Sequence, residues 1–214
     1  MRIKICGITR KEDALAAVEA GADALGFIFS PHSKRYVLPD DAGAIIASLP
    51  PFILPVGVFV NATRDHVRET IRRTGIRAAQ FHGEETPDDV CGYSLLTIKA
   101  YRVSPDFKPD ILNSYKVDAH LLDAYVEGVR GGTGRTFDWQ LVEGVRAYGR
   151  IVLSGGLSPE NIERAIGVAM PDAVDVSSGV ELRPGIKDAG RMKHFVERAR
   201  AAFDRMPSRK SSAR

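Results

Sequence analysis

Cysteine is scarce in this chain, long apolar runs are missing and neither charge sign dominates. Each shortage removes a class of protein. Two cysteines among 214 residues, Cys6 and Cys91, provide neither a disulfide framework nor a Cys-x-x-Cys metal spacing, so a metal-free protein of a reducing compartment is expected. No stretch reaches the ~18 consecutive apolar residues of a membrane span. The first residues, Met1-Arg2-Ile3-Lys4-Ile5, alternate charged and apolar side chains, so the expectation is an untargeted, cytoplasmic protein without a membrane partner. The formal net charge is only +3, with Lys and Arg scattered among Asp and Glu. No basic stripe argues for nucleic acid, and a small anionic substrate is enough to account for a local positive site. No Gly-x-Gly-x-x-Gly follows the first apolar run, which removes the commonest functional version of a doubly wound open sheet.

What is present is an ordinary globular balance, 44% hydrophobic and 27% charged residues, sufficient for a large core. Eight apolar, β-branched runs recur along it: 3–6, 24–29, 52–60, 78–81, 95–100, 119–122, 151–153 and 173–176. Helix signals fall between them. Thr9 and Glu12 have capping-box spacing with Gly21 as the stop; Pro39-Asp40 opens a second helix that ends near Leu49 and Pro50. Thr63 with Asp65 opens a third that stops at Gly75, and Ser158-Pro159 opens another. The segments around Pro87 to Gly92 and Ser104 to Asn113 read as short or 3₁₀ turns. Strand runs every ~25 residues with no second composition zone predict a single-domain (β/α)8 TIM barrel, an α/β fold, over residues 1–203. Such barrels typically have about 250 residues, so the loops must be lean. Residues 204–214, ending Ser-Arg-Lys-Ser-Ser-Ala-Arg, lack apolar side chains to dock and read as a frayed tail.

Two runs end in glycine loops, Leu153-Ser154-Gly155-Gly156-Leu157 and Val176-Ser177-Ser178-Gly179. In a barrel the loops after the seventh and eighth strands commonly form one phosphate site on the catalytic face, where free backbone N–H groups meet a dianion. Cys6 ends the first strand, with Lys4 on the same face as a cation able to lower the thiol pKa; taken alone, Cys6 also fits simple core filling. Asp123 ends the sixth strand ahead of Gly131-Gly132-Thr133-Gly134, and reads either as a cap or as an acid facing Cys6 across the mouth. Arg35, in the loop after the second strand, is a solvated edge or a bidentate carboxylate ligand. Gln80 and His82 share one strand face and are rim polar groups or ligands. Lys99 reads as an interior lysine near carboxylates before it reads as a Schiff-base nucleophile. Asp175 is functional or neutralises a neighbouring cation, and Cys91 reads as packing.

These residues resemble the phosphoribosylanthranilate isomerase family along nearly the whole chain to about Phe203. The motifs are Lys4-Ile5-Cys6-Gly7-Ile8-Thr9, Ser33-Lys34-Arg35-Tyr36-Val37, Val56-Gly57-Val58-Phe59-Val60-Asn61, Gln80-Phe81-His82-Gly83, Leu121-Leu122-Asp123, Gly131-Gly132-Thr133-Gly134 with Thr136-Phe137-Asp138-Trp139, Leu153-Ser154-Gly155-Gly156-Leu157, and Val174-Asp175-Val176-Ser177-Ser178-Gly179-Val180-Glu181. The resemblance implies a cofactor-free barrel of tryptophan biosynthesis. Its reaction would be an Amadori rearrangement that converts N-(5-phosphoribosyl)anthranilate to 1-(2-carboxyphenylamino)-1-deoxyribulose 5-phosphate. It further implies Cys6 as general base, Asp123 as general acid, Arg35 on the anthranilate carboxylate, and Gly155, Gly156, Ser178 and Gly179 on the phosphate. Gln80, His82, Asp175 and Ser177 complete the expected substrate contacts. Phe81, where the family often has Leu, and His120 before the Leu-Leu-Asp run are departures that leave the chemical residues in place. A monomer or homodimer is expected.

Three other readings compete. Indole-glycerol-phosphate synthase binds a phosphorylated anthranilate sugar, but a Cys6 and Asp123 pair suits proton shuttling better than ring closure with decarboxylation. The histidine-pathway sugar isomerase uses an aspartate at the first strand end, where this chain has Cys6. A non-catalytic phosphate-ligand binder would not need both Cys6 and Asp123.

Overall fold

The computed structural model describes residues 2–104, 106–124 and 139–206. Eight parallel strands close a barrel in sequence order: β1 (Arg2–Cys6), β2 (Ala24–Ile28), β3 (Leu54–Phe59), β4 (Ala78–Phe81), β5 (Leu96–Val103), β6 (Ala119–Ala124), β7 (Ile151–Leu153) and β8 (Ala173–Val176). Every expected run is a strand, and the main difference is β5, which continues three residues beyond Ala100. That extension brings Arg102 opposite Asp123 in the β5–β6 register.

Alternation assigns two faces to each strand. The odd-numbered β1 side chains Ile3 and Ile5, with Phe27, Phe59, Phe81 and Leu122 from other strands, join one large outer core with the helices. Burial of each such phenylalanine contributes roughly 1.5–3 kcal/mol. The opposite faces fill the barrel with small clusters, Ala24, Val56 and Ala78 on one side and Ala100, Leu121 and Val152 on the other. Two residues beyond Ala78, Leu121 and Ala173 stand Gln80, Asp123 and Asp175, and Cys6 follows the buried inward Lys4 in the same way, so the alternation that packs the barrel also delivers its polar mouth.

The helices are α1 (Lys11–Glu19), α2 (Pro39–Ala47), α3 (Arg64–Thr74), α4 (Ile162–Ala169) and α5 (Ala189–Asp204), with 3₁₀ helices at Pro109–Ser114 and Trp139–Tyr148. Pro39 opens α2, and Thr63 caps α3 by accepting from His66 N, with Gly75 left-handed at its end. Two starts differ from expectation. Thr9 does not cap α1, because its Oγ1 donates to Gly185 O at 2.6 Å; Arg10 precedes the helix and pairs with Asp13 at 2.6 Å. α4 starts at Ile162 and not at Pro159, since Asn161 Oδ1 accepts from Ser158 N and its Nδ2 donates to Gly156 O, which ties this turn to the glycine loop. After β8 the chain adds a short hairpin, β9 (Glu181–Arg183) with β10 (Ile186–Lys187). Pro207–Arg214, most of the expected tail, and Gly131–Gly134 of the sixth loop lie outside the described residues. No helix among the described residues is long and apolar enough to cross a membrane.

Lys99 stands on the outer face of β5, away from the mouth. Its Nζ donates to Glu85 Oε2 and to Gly83 O, both at 2.8 Å, beside the Tyr101 and Tyr115 rings. Glu85 also accepts from the Asn61 and Gly83 backbone N–H groups, so this buried pair staples the loops after β3 and β4 together. Removing one partner leaves an uncompensated buried charge. Glu85→Ala should therefore cost about 3–5 kcal/mol in urea unfolding, with much of the loss recovered by adding Lys99→Met; a cost below about 1 kcal/mol would show that the staple does not hold these loops.

Candidate active site

The C-terminal ends of the strands surround a cavity of about 750 Å³. Cys6 from β1, Gln80 and His82 at the end of β4, Asp123 from β6 and Asp175 from β8 all line it, with Arg35, Gly155, Gly156, Ser177 and Ser178 from the loops. Cys6 and Asp123 stand on strands three steps apart one way round the barrel and five the other, so they flank the cavity from nearly opposite sides.

Three polar assemblies make up the wall. In the first, Gln80 Nε2 donates to His82 Nδ1 at 2.9 Å, which assigns the ring proton to Nε2; that nitrogen lies 3.0 Å from Asp123 Oδ2. His82 thus orients the carboxylate expected to act as acid. In the second, Lys4 Nζ donates to Asp175 Oδ1 at 2.9 Å with both side chains buried, across directly paired positions of β1 and β8. Gly26 on β2 makes room beside this pair: a Cβ there would stand 2.6 Å from Cys6 Sγ and 3.1 Å from Lys4 Nζ. In the third, Arg35 donates through Nε and Nη2 to the two oxygens of Glu181 at 2.8 and 2.7 Å. Arg35, expected as a carboxylate ligand, therefore lines the cavity already held by a carboxylate of the chain itself.

The thiol differs from the sequence expectation. Burial pushes the Cys6 thiol up from its ordinary pKa, and Asp175 adds to this, so the pull of Lys4 and Lys187 does not overcome desolvation. Burial also works against the Lys4 ammonium, but Asp175 and Cys6 outweigh it and hold its pKa above the usual lysine value. Burial thus disfavours the Cys6 thiolate, while Asp175 keeps the neighbouring Lys4 charged.

The two glycine loops meet on the far wall. Gly179 packs so close to the Leu157 carbonyl that a Cβ there would overlap it, so only glycine lets the loops touch. Among the described residues the N–H groups of Gly155, Gly156, Ser178 and Gly179 donate to no backbone carbonyl. Ser177 Oγ is buried with no partner among the described residues, and Gln80 Oε1 is the same. Buried polar atoms without partners are rare in native folds, and a binding cavity is one place where they occur.

Sequence reading missed Lys187, Glu181 as an Arg35 partner, and Arg102. Arg102 was open to discovery, since the inward row Ile98, Ala100 continues to it. Lys187 gave no local signal, because only the docking of the β9–β10 hairpin brings its ammonium to the Cys6 and Ser177 carbonyls behind the cavity wall. Among the described residues no cluster of His, Cys, Asp and Glu has the makings of a metal site.

Thiol chemistry follows from this burial. Cys91 is exposed and Cys6 buried with a raised pKa. Iodoacetamide at pH 7.5 should label Cys91 at least about tenfold faster than Cys6, and Cys6 labelling should climb as pH rises past the ordinary thiol range. Equal rates, read by peptide mass spectrometry, would contradict the burial assigned to Cys6.

Comparison with known proteins places the chain in a family. The family model described as N-(5'phosphoribosyl)anthranilate (PRA) isomerase matches residues 3–198. The N-(5'-phosphoribosyl)anthranilate isomerase of Geobacter metallireducens is 49% identical over 201 residues, covering 94% of this chain and 100% of that protein. The crystal structure of phosphoribosyl anthranilate isomerase from Thermotoga maritima superposes with a TM-score of 0.86 at 45% identity, covering 94% of this chain and 99% of the other. A further isomerase structure, in complex with reduced 1-(o-carboxyphenylamino)-1-deoxyribulose 5-phosphate, gives 0.83 at 44% identity with the same coverage. A KDPGal structure at 19% identity and a TM-score of 0.67 shares the fold alone. With the family model spanning nearly the whole barrel and relatives close to half identical over their full length, the chain belongs to the N-(5'-phosphoribosyl)anthranilate isomerase family.

Proposed function

We propose that this protein isomerises N-(5-phosphoribosyl)anthranilate to 1-(2-carboxyphenylamino)-1-deoxyribulose 5-phosphate, in tryptophan biosynthesis, with Asp123 as general acid and Cys6 as general base. The observation that carries the assignment is the placement of Cys6 and Asp123 in one cavity whose other wall is the pair of glycine loops. A sugar phosphate anchored on those loops extends between the two groups.

Asp123 acts first. His82 occupies Oδ2, so the transferable proton belongs on Oδ1, from which it passes to the furanose ring oxygen and opens the ring. Ring opening leaves an iminium conjugated with the anthranilate nitrogen, and that cation acidifies the neighbouring C2′. Cys6, as thiolate, removes the C2′ proton to give an enolamine, which tautomerises to the ketone. Burial favours the neutral thiol, so Cys6 first loses its proton to solvent; Lys4, Lys187 and the neighbouring iminium lower the cost of the resulting thiolate, which then takes the C2′ proton.

Substrate contacts divide by charge. The N–H groups of Gly155, Gly156 and Ser178, which line the cavity, with the Ser177 hydroxyl and the neighbouring Gly179 N–H, are suited to the phosphate dianion. Arg35 takes the anthranilate carboxylate through the edge of its guanidinium that Glu181 leaves open. Gln80 contributes its unpaired Oε1 to a sugar hydroxyl, and Asp175 fixes Lys4 beside the thiol. The reaction needs no cofactor on this reading, and the protein works as a monomer or homodimer in the cytoplasm.

The decisive assay follows loss of phosphoribosylanthranilate fluorescence with freshly prepared substrate. Wild-type protein should consume it far faster than the spontaneous background. Asp123→Asn and Cys6→Ser should each lower kcat by about 10²–10⁴-fold, with KM changed little. A near-normal kcat in either variant would remove that residue from its role, and no loss with wild type would refute the isomerase reading.

A further inference from the structure

We propose that Glu181 and Lys187, on the β9–β10 hairpin, are specificity-determining positioning residues: together they aim the Arg35 guanidinium and keep its positive charge available for the substrate carboxylate. The proposal rests on the reading that Arg35 binds that carboxylate.

Glu181 is buried and receives four hydrogen bonds. Two come from Arg35 in the forked geometry that fixes the guanidinium plane, one from Lys187 Nζ at 2.9 Å and one from Gly185 N at 3.2 Å. An arginine paired to a glutamate alone is neutral, and a second carboxylate brought to it would meet as much repulsion as attraction. Lys187 changes that sum. Its ammonium, with the side chain fully buried, gives the Arg35–Glu181–Lys187 group a net charge of one positive unit, exposed to the cavity only on the Arg35 side. The glutamate holds the fork, and the lysine offsets the glutamate.

Lys187 also links the site's parts mechanically. The same ammonium donates to Cys6 O at 2.6 Å and to Ser177 O at 3.2 Å, so one buried cation touches the strand end carrying the thiol, the start of a phosphate loop and the carboxylate that orients Arg35. Thr9 Oγ1 on Gly185 O and Lys187 N on Asp13 Oδ2 pin the hairpin to the segment before α1 and to the first turn of that helix. A staple serving only stability would not need one arm to line the substrate cavity, and buried ion clusters are poor stabilisers compared with apolar packing.

The test compares two substrates, N-(5-phosphoribosyl)anthranilate and N-(5-phosphoribosyl)aniline, which lacks the carboxylate. The readout is the ratio of their kcat/KM values. Glu181→Gln and Lys187→Met should each lower this ratio at least about tenfold, chiefly by raising KM for the carboxylated substrate, and Lys187→Arg should restore part of it. Arg35→Gln separates the two levels of the argument. If it leaves the ratio unchanged, Arg35 is not the carboxylate ligand and the reading beneath the proposal fails. If it lowers the ratio while Glu181→Gln and Lys187→Met keep it, the hairpin proposal alone is overturned. Equal loss on both substrates, including complete inactivity, would make the hairpin a structural staple and overturn the proposal as well.

Discussion

Closure of eight parallel strands into one ring forces every second side chain inward, and almost everything else in this molecule depends on that constraint. Deep in the barrel the inward rows are mostly Ala, Val and Leu, and the charged Lys4 among them is paired with Asp175. At the C-terminal rim the same rows end in Cys6, Gln80, Asp123 and Asp175. The packed floor and the polar mouth are consecutive layers of one pattern, so the reactive groups are held by strands and not by loops.

Charge burial is the cost of that arrangement. Lys4, Lys99 and Lys187 are all buried, and each has a carboxylate within 2.9 Å: Asp175, Glu85 and Glu181. Isolated, each ammonium would be strongly disfavoured; paired, each becomes a rigid point of positive charge. Lys99 with Glu85 stays on the outer face and joins loops. The other two pairs lie close to Cys6, whose pKa both lysines pull down, and there rigidity translates into a fixed field around the thiol. Electrostatic preorganisation of this kind contributes to catalysis because it requires no reorganisation as charge develops.

The thiol illustrates a balance of opposed effects. Two lysines favour the thiolate, yet dehydration and Asp175 win in the free protein, and burial lowers the Lys187 pKa while Glu181 opposes that shift. Glu181 itself is held below the usual carboxylate range; burial acts against this, but Arg35 and Lys187 prevail. A buried thiol whose ionisation is disfavoured in this way is a slow target for alkylation and oxidation.

The chain's own pattern determined the barrel, because eight β-branched runs with period-two alternation and lean connections have few other ways to bury both faces. It also determined which residues reach the mouth, since Cys6, Asp123, Gln80, His82 and Asp175 sit at strand ends where alternation is unambiguous. Tertiary structure alone decided their partners. Thr9 looked like a helix cap until Gly185, far along the chain, claimed its hydroxyl; Lys4 looked sufficient to lower the Cys6 pKa until burial was counted. Lys187 carried no local signature, and Glu181 closed a sequence motif without showing its partner, because their contacts arise when a hairpin folds back 181 and 146 residues from Cys6 and Arg35. Periodicity is a local property that a sequence displays directly, whereas desolvation and long-range pairing exist only once the barrel has closed.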